Sequence, residues 1–313
     1  MRWKLSSYRS VARGWVRAAQ ETVWTKRPLT PQSVEKILRG WDRHVKVVQY
    51  FPSESHQVFQ VTFRGQGCVA KFAGQSFHWK FVLQEEVARM KSLAEAALQV
   101  PKIILGEEKR WRNPFFITPY LSTQLRALWT DEIHRASWVK EAAIARSLSG
   151  IVKSKQLPVK SLAHSVRDLE LEIAAVKTAL ARVGLSSAAY LGPLERFEAG
   201  ICSRPWDIGQ LQPPELVYDG TQFWAIDWDA FSYTHPLKWV NDYSFYDHVR
   251  NPILGKQHLT YLLSALGFDP ADPATQAEVR RWQQFKAMAV GTYLIEKSQR
   301  WSYFETLKQR FFD

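Results

Sequence analysis

Two short alternating segments joined by a glycine-containing turn set the strongest limit on how the N-terminal part of the chain folds. Residues 58–63 alternate apolar and polar positions, residues 64–67 supply the turn, and residues 68–72 read as the returning strand. This pattern predicts a β-hairpin with one lysine, Lys71, in its second strand. Residues 81–97 follow with apolar positions at helical spacing, so strands and a helix alternate in an α+β arrangement.

Lys71 and the acids of the following helix can also be explained by a purely structural role. A lysine within a strand commonly protects a sheet edge, or it extends its ammonium to the surface along an apolar stem. Glu85 and Glu86 offer it two neighbouring carboxylate partners on the helix. Solvent-exposed glutamates are common on helices, so the pattern alone leaves the role of this pair open.

A second constellation lies near residue 227, where an apolar run ends in two carboxylates, Asp227 and Asp229, separated by one residue. Acids after a strand often form turns by bonding their own backbone, but carboxylate oxygens are also the ligands that Mg²⁺ prefers beside phosphate. Asp207 precedes a predicted hairpin that leads to Asp227, so the two carboxylates can converge. Phosphoryl transfer requires such a set: one acid for the attacking hydroxyl, one for the metal and a lysine for the phosphates.

These motifs resemble those of the kinase-like small-molecule phosphotransferases, a family that includes aminoglycoside phosphotransferases and choline kinases. The resemblance covers roughly residues 45–250 and implies a two-lobed protein-kinase-like fold. Residues 55–61 resemble the nucleotide loop, 69–71 the phosphate-binding strand lysine, and 115–121 the strand and hinge that hold adenine by backbone hydrogen bonds. The nucleotide-binding residues that this resemblance implies are Ser55, Lys71, Glu86, Thr118 and Tyr120.

The resemblance also implies a catalytic aspartate and a metal site. Asp207 lies where the family has its catalytic aspartate, and residues 226–229 resemble the metal-binding Ile-Asp-Trp-Glu. The implied cofactors are ATP and Mg²⁺, with Gln212, Asp227 and Asp229 as metal ligands. Two departures alter the catalytic loop. The family's His-Gly pair before the aspartate is replaced by Pro-Trp at residues 205–206. Gln212 stands in place of the family's asparagine ligand, and its longer side chain places the amide oxygen one methylene further out.

Two functions remain open on these residues. The first is an ATP-dependent phosphotransferase that acts on a hydroxyl of a small molecule such as a sugar, an aminoglycoside or an amino alcohol. The joint presence of Lys71, Glu86 and Asp227 favours it. The second is a catalytically impaired, pseudokinase-like binding or regulatory module, which the altered loop around Asp207 favours. Fold does not decide between them, because function depends on the site.

The predicted domain organisation has three parts: a basic, aromatic helical segment over residues 1–44, an N-lobe over 45–121 and a mainly helical C-lobe over 122–313. Apolar periodicity predicts helices from residue 122 to about 200, with a break at Pro158, and again after Asn251. Aromatic residues recur in the last helices. They fit either a ring-stacking pocket or a helical core, and the usual burial of aromatic stripes favours the core.

Charge and composition bear on partners. The 313 residues carry 42 Lys and Arg against 30 Asp and Glu, a net charge of +12. A basic, aromatic stretch over residues 1–27 fits peripheral contact with an anionic surface or packing on the first lobe. No nucleic-acid-binding signature accompanies the charge, so a small hydroxylated substrate is expected. A cytoplasmic protein is predicted for three reasons. The chain has only two cysteines, no apolar run is long enough to span a bilayer, and the first residues lack the apolar core of a signal peptide.

Overall fold

A computed structural model describes most of the chain: residues 28–51, 53, 56–74, 77–96, 98–110, 112–157, 159, 162–185, 187–201, 210–211, 215–228 and 233–312. The described residues form two compact units. The first unit contains the residues up to Arg126 together with those from Glu215 to 228, and the second unit contains the rest. The segment from Glu215 to 228, expected within the helical C-lobe, therefore clusters with the first unit.

The first unit is built on a five-stranded antiparallel sheet in the order β1-β2-β3-β5-β4. It begins with helix α1 (Pro31–Leu38). The predicted hairpin is present as β2 and β3, and the predicted helix follows as α2 (Phe77–Glu95). The strands are β1 (Lys46–Phe51), β2 (His56–Phe63), β3 (Gln66–Ala73), β4 (Leu105–Gly106) and β5 (Phe115–Pro119).

Strand alternation gives this sheet two chemically different faces. Successive side chains of a strand point to opposite faces, and residues paired across antiparallel strands share a face. One face is apolar and packs with Val34 and Leu38 of α1; its strand residues are Phe59, Val61, Phe63, Cys68, Ala70, Phe72, Phe115 and Ile117. Lys71 pairs with Phe116, and Val69 pairs with Thr118. Lys71 and Thr118 therefore lie on the opposite face, away from this apolar core.

A second hairpin in the first unit carries Asp227. Strands β7 (Glu215–Tyr218) and β8 (Phe223–Ile226) pair antiparallel, with Glu215 opposite Ile226. The hairpin is attached to the rest of the unit by backbone hydrogen bonds from Gln124 N–H to the Tyr218 carbonyl, 2.8 Å, and from Ala225 N–H to the Gln99 carbonyl, 2.9 Å. Asp227 follows directly after β8.

The second unit is mainly helical, as predicted. A two-stranded sheet pairs β6 (Gln210–Leu211) with β9 (Tyr233–Thr234), and a 3₁₀ turn at Arg126–Leu128 precedes the first long helix. Its helices are α3 (Asp131–Lys155), α4 (Leu162–Arg182), α5 (Ala188–Ile201), α6 (Pro236–Arg250), α7 (Pro252–Ala265), α8 (Pro273–Ser298) and α9 (Trp301–Phe311).

Local signals explain where these helices begin and end. The side chains of Thr130, Asn251 and Asp272 accept hydrogen bonds from the first-turn N–H groups of α3, α7 and α8. Helix α4 ends before Gly184, whose φ of +75° suits a left-handed C-terminal turn. The core joins α3 through α8 around buried side chains that include Ile173, Phe197, Trp239, Leu262, Trp282 and Phe285. Among the described residues, every helix is too short or too polar to cross a membrane.

Candidate functional site

Lys71 is the centre of the candidate site in the first unit. Its ammonium Nζ donates to Glu86 Oε1 at 2.9 Å and to Asp227 Oδ1 at 3.2 Å. Lys71 lies on β3, Glu86 on α2, and Asp227 at the end of β8, which is 156 residues further along the chain than Lys71. The structure therefore brings together three of the residues that the sequence motifs singled out.

The burial of the three side chains differs in a way that matters for chemistry. The side chain of Glu86 is 3% exposed and that of Lys71 is 12% exposed, whereas that of Asp227 is 55% exposed. Charge-assisted hydrogen bonds between buried groups are strong and hold geometry. The Lys71–Glu86 pair is therefore a fixed support, and the Asp227 carboxylate is the member that faces solvent.

His56 borders this ion-pair network. It is buried at the start of β2, with Nε2 4.0 Å from Glu86 Oε2 and its ring edge-on to Trp79. Burial, together with the charge of Lys71, lowers the pKa of His56 to about 3. The imidazole is therefore neutral near pH 7, which leaves Lys71 as the cation beside Glu86. His56 falls in the segment 55–61 that resembles the nucleotide loop, but it is the first residue of strand β2, which carries it into the interior.

The backbone at Asp227 has an unusual conformation. Its φ is +63°, in the left-handed region that residues other than glycine rarely adopt. The next residue is anchored: the Arg89 guanidinium, 1% exposed, donates through Nη1 to the Trp228 carbonyl at 2.8 Å. Trp228 is itself buried and donates its indole N–H to the Ala225 carbonyl at 3.1 Å. These contacts hold the strained turn and fix the direction of the Asp227 carboxylate.

The far end of the same hairpin is closed by Asp219. Its Oδ1 accepts from the backbone N–H groups of Thr221 and Gln222 at 2.8 and 2.9 Å, and its Oδ2 accepts from the Trp224 indole at 2.6 Å. The hydrogen bond from Trp224 is the largest of several that lower the pKa of Asp219. Gly220 completes the turn with φ of +99°. The hairpin is thus fixed at both ends.

The predicted adenine-binding residues lie near β3. Thr118 is buried on β5, opposite Val69, and Tyr120 follows the strand with its side chain 38% exposed. The backbone N–H of Tyr120 donates to the Gly67 carbonyl at 2.9 Å. That donor is engaged within the sheet and is therefore not one of the backbone groups open to a nucleotide base.

The remaining predicted site residues, Ser55, Asp207, Gln212 and Asp229, lie outside the described residues, as does the basic segment 1–27. Within the described ranges, no group of three or more His, Cys, Asp or Glu side chains is arranged to hold a metal ion. Glu215, opposite Ile226 at the start of β7, is a further carboxylate near Asp227 in the strand register. Arg89 and Glu215 were not singled out by the sequence motifs. Arg89 lies one turn after Glu85 on α2, which was the only local signal for it.

Comparison with solved structures identifies the fold. Wild-type aminoglycoside 2'-phosphotransferase-IIIa in its GDP complex matches with a TM-score of 0.59 and 14% identity, over 90% of this chain and 98% of that chain. Spectinomycin phosphotransferase with ADP and spectinomycin matches at 0.57 and 15%, over 91% and 95%. A thermostable mutant of aminoglycoside phosphotransferase APH(4)-Ia, with AMP-PNP and hygromycin B, matches at 0.59 and 14%, over 89% and 96%.

Sequence comparison adds nothing further, because no protein-family model and no curated protein matches the chain. At identities near 14% the structural similarity establishes architecture rather than activity. It extends over both units and includes the antiparallel sheet and the helical part. The chain thus has the two-lobed, kinase-like α+β fold that aminoglycoside phosphotransferases share.

Proposed function

We propose that this protein is a nucleotide-dependent phosphotransferase that uses ATP to phosphorylate a hydroxyl of a small molecule. The observation that carries the proposal is the Lys71–Glu86–Asp227 ion-pair network, in which a lysine is held by a buried carboxylate and directed at an exposed one. Phosphoryl transfer is catalysed mainly by positioning and by electrostatic stabilisation. A fixed cation next to a ligand-facing carboxylate suits both tasks.

The charges of the network suit a nucleoside triphosphate bound with a divalent cation. Lys71 is positioned to contact phosphate oxygens, while Glu86 keeps its ammonium from turning away. Only one of the Asp227 carboxylate oxygens is assigned to Lys71, through the 3.2 Å contact. The other oxygen is therefore available to a metal ion.

A single exposed carboxylate fits Mg²⁺. This ion usually keeps several waters and binds one or two protein carboxylates plus substrate phosphates, rather than a cage made entirely of protein. Asp227 supplies the first carboxylate, and Asp229 and Gln212 are proposed to complete the site. When bound, Mg²⁺ neutralises charge on the phosphate oxygens.

Asp207 is proposed as the catalytic residue that orients the acceptor hydroxyl and accepts its proton. Thr118 and Tyr120 are proposed to border the adenine, and Ser55 the phosphates. These roles rest on the motifs and on the fold. The solved structures with this fold include complexes with spectinomycin and hygromycin B, which supports a hydroxylated small molecule as the acceptor.

The alternative is a pseudokinase-like module that binds nucleotide without transferring phosphate. The observation in its favour is the Pro-Trp pair at 205–206, in place of the His-Gly pair of the resembling family. In the resembling family that histidine supports the catalytic loop, and this chain lacks it. The two candidates share a nucleotide site and differ in turnover, so the experiment has to measure both.

Thermal melting with ATP, with and without Mg²⁺, tests nucleotide binding. We expect stabilisation that depends on Mg²⁺ and that Asp227→Asn removes, whereas the control Asp131→Asn, at the start of α3, keeps it. By mass action, ATP at about 100 times its Kd adds about 2.7 kcal/mol to stability. Absence of any shift with the unaltered protein would exclude both candidates.

Turnover separates the two candidates. A radiolabelled phosphate-transfer screen over sugars, aminoglycosides and amino alcohols identifies the acceptor. Asp207→Asn should then abolish transfer while the ATP-induced melting shift is unchanged, because the substitution removes the proton acceptor and leaves the Lys71 network in place. A melting shift without transfer to any acceptor in the screen would favour the binding module.

A further inference from the structure

The second unit contains a cavity of about 510 Å³, and none of its lining residues is assigned to the proposed phosphotransfer site. Helices α4, α6, α8 and α9 and the short α8–α9 connection form its walls. A volume of this size lies in the range of about 300–1,000 Å³ that is typical of small-molecule sites. The polar and aromatic residues of the lining are Glu172, Tyr246, Lys286, Tyr293, Arg300 and Tyr303.

The aromatic residues of the last two helices divide into two groups around this cavity. Trp282, Phe285 and Phe304 are 1–2% exposed and belong to the packed core, as expected from the sequence. Tyr293 is 50% exposed and lines the cavity, as does Tyr246 of α6, which is 55% exposed. The expectation of a purely structural role therefore fails for Tyr293. Exposed tyrosine rings around a concavity offer flat faces and hydroxyl groups to a ligand.

The lining has two basic side chains, Lys286 and Arg300, and one acidic side chain, Glu172. Lys286 Nζ is 2.9 Å from Asp242 Oδ1, and Lys238 Nζ is 2.7 Å from Asp242 Oδ2, so two ammonium groups share one carboxylate. Burial alone lowers the pKa of Lys286, but the charge and hydrogen bond of Asp242, with smaller contributions from Tyr246 and Glu172, raise it. Lys286 therefore remains charged.

Arg300 adds a cation at the edge of the cavity. It lies between α8 and α9, its side chain is exposed, and it makes no ion pair with any residue that the structure describes. A planar guanidinium with open donors is suited to bidentate binding of a phosphate or carboxylate. The cavity thus combines ring faces, hydroxyl groups and one available cation.

We propose that this cavity binds a hydroxylated ring compound that carries one anionic group. The ring lies against Tyr246 and Tyr293, its hydroxyl groups bond with the phenols and with Glu172 or Lys286, and the anionic group binds Arg300. All of these residues belong to the second unit, whereas Lys71, Glu86 and Asp227 belong to the first. None of the lining residues is among those proposed for phosphotransfer, so the two sites are separable by substitution.

Isothermal titration calorimetry with four probes tests the proposal: glucose 6-phosphate, phenyl phosphate, glucose and inorganic phosphate. We expect glucose 6-phosphate and phenyl phosphate to bind more tightly than either fragment alone. Arg300→Ala should weaken both phosphorylated rings about 10-fold, since a charge-assisted pair is lost, and leave glucose unchanged. The matched control is Arg280→Ala, an exposed arginine on α8 away from the cavity.

A pair of variants at Tyr293 tests how much its ring contributes to affinity. Tyr293→Ala should weaken phenyl phosphate about tenfold, while Tyr293→Phe, which keeps the ring, should retain most of the affinity. Lys71→Met should leave all four affinities unchanged, which separates this site from the phosphotransfer site. Failure of both phosphorylated rings to bind with a Kd of about 1 mM or tighter overturns the proposal. So does binding that survives Arg300→Ala combined with Tyr293→Ala, or inorganic phosphate that binds as tightly as glucose 6-phosphate.

Discussion

Replacement of Lys71 by methionine tests the ion-pair network directly. Methionine keeps much of the length and apolar stem of lysine and removes the ammonium. The neighbouring Glu86 side chain is 3% exposed, so its carboxylate would lose the cation 2.9 Å away without gaining access to water. Asp227, with its side chain 55% exposed, would be rehydrated easily. The penalty therefore arises mainly at Glu86.

The size of that penalty depends on pH. Removing one partner of a buried ion pair costs about 3–5 kcal/mol. The protein can avoid a larger cost by protonating the carboxyl group, and for an ordinary glutamate pKa of about 4.3 this requires about 3.7 kcal/mol at pH 7 and about 1 kcal/mol at pH 5. We predict that Lys71→Met lowers the free energy of unfolding by about 3 kcal/mol at pH 7 and about 1 kcal/mol at pH 5.

Urea denaturation at the two pH values, followed by tryptophan fluorescence, measures these losses. The control is Lys102→Met, an exposed lysine of the same unit. Glu86→Gln in the Lys71→Met background should recover about 1–2 kcal/mol at pH 7, because it removes the unpaired charge. NMR titration supplies a second readout: the pKa of His56, held at about 3 by burial and by Lys71, should rise in the variant. Equal losses at both pH values, or a loss no larger than the control, would refute the reasoning.

Two further predictions concern the second unit. His258 is buried between Asp247 Oδ2 at 2.9 Å and Glu141 Oε2 at 2.8 Å. Burial alone lowers the pKa of His258, but these two acids raise it above the ordinary histidine value of 6.5. The stability gained from protonated His258 is complete below pH 6.5 and is lost as pH rises through the higher folded-state pKa. Urea titrations should therefore show the free energy of unfolding falling over that pH range. His258→Gln should remove this pH dependence. Gly255→Ala would place a Cβ 2.1 Å from the backbone of α6 and should lower stability by about 3 kcal/mol or more. Gly150→Ala, whose Cβ would project from α3 into open space, should be neutral or slightly stabilising in the same assay.

Elements with strong local signals were predictable from the sequence. The hairpin of β2 and β3 has alternating apolar residues and a glycine turn, so its two strands follow from short-range patterns. Its turn is shorter than expected: Phe63 pairs with Gln66, so the turn is residues 64–65 rather than 64–67. The long helices have apolar periodicity and clear terminal signals, such as Asp272 before α8 and Gly184 after α4. Pro158, the predicted break, lies outside the described residues, within the gap that separates α3 from α4.

Burial of isolated polar residues was not predictable in the same way. His56 and His258 are in the interior because strands or helices from distant parts of the chain cover them. His56 falls in the segment that resembles the nucleotide loop, where no local pattern indicates burial. His258 has no local signal either, since its partner Glu141 is 117 residues away. A single histidine has no periodic pattern from which its environment can be inferred. Its charge state depends on burial and on partners that the fold supplies.

The candidate site has both predictable and unpredictable features. Motifs indicated Lys71, Glu86 and Asp227 because each stands at the end of, or within, a recognisable strand or helix, but no local pattern specifies that their side chains meet. That meeting depends on the φ of +63° at Asp227 and on Arg89, which binds the following carbonyl from a helix 139 residues away. A non-glycine residue in this conformation costs about 1–3 kcal/mol. The resulting turn directs one Asp227 carboxylate oxygen at Lys71 and leaves the side chain largely exposed to solvent. Both properties depend on contacts between distant parts of the chain, which a local sequence pattern does not contain.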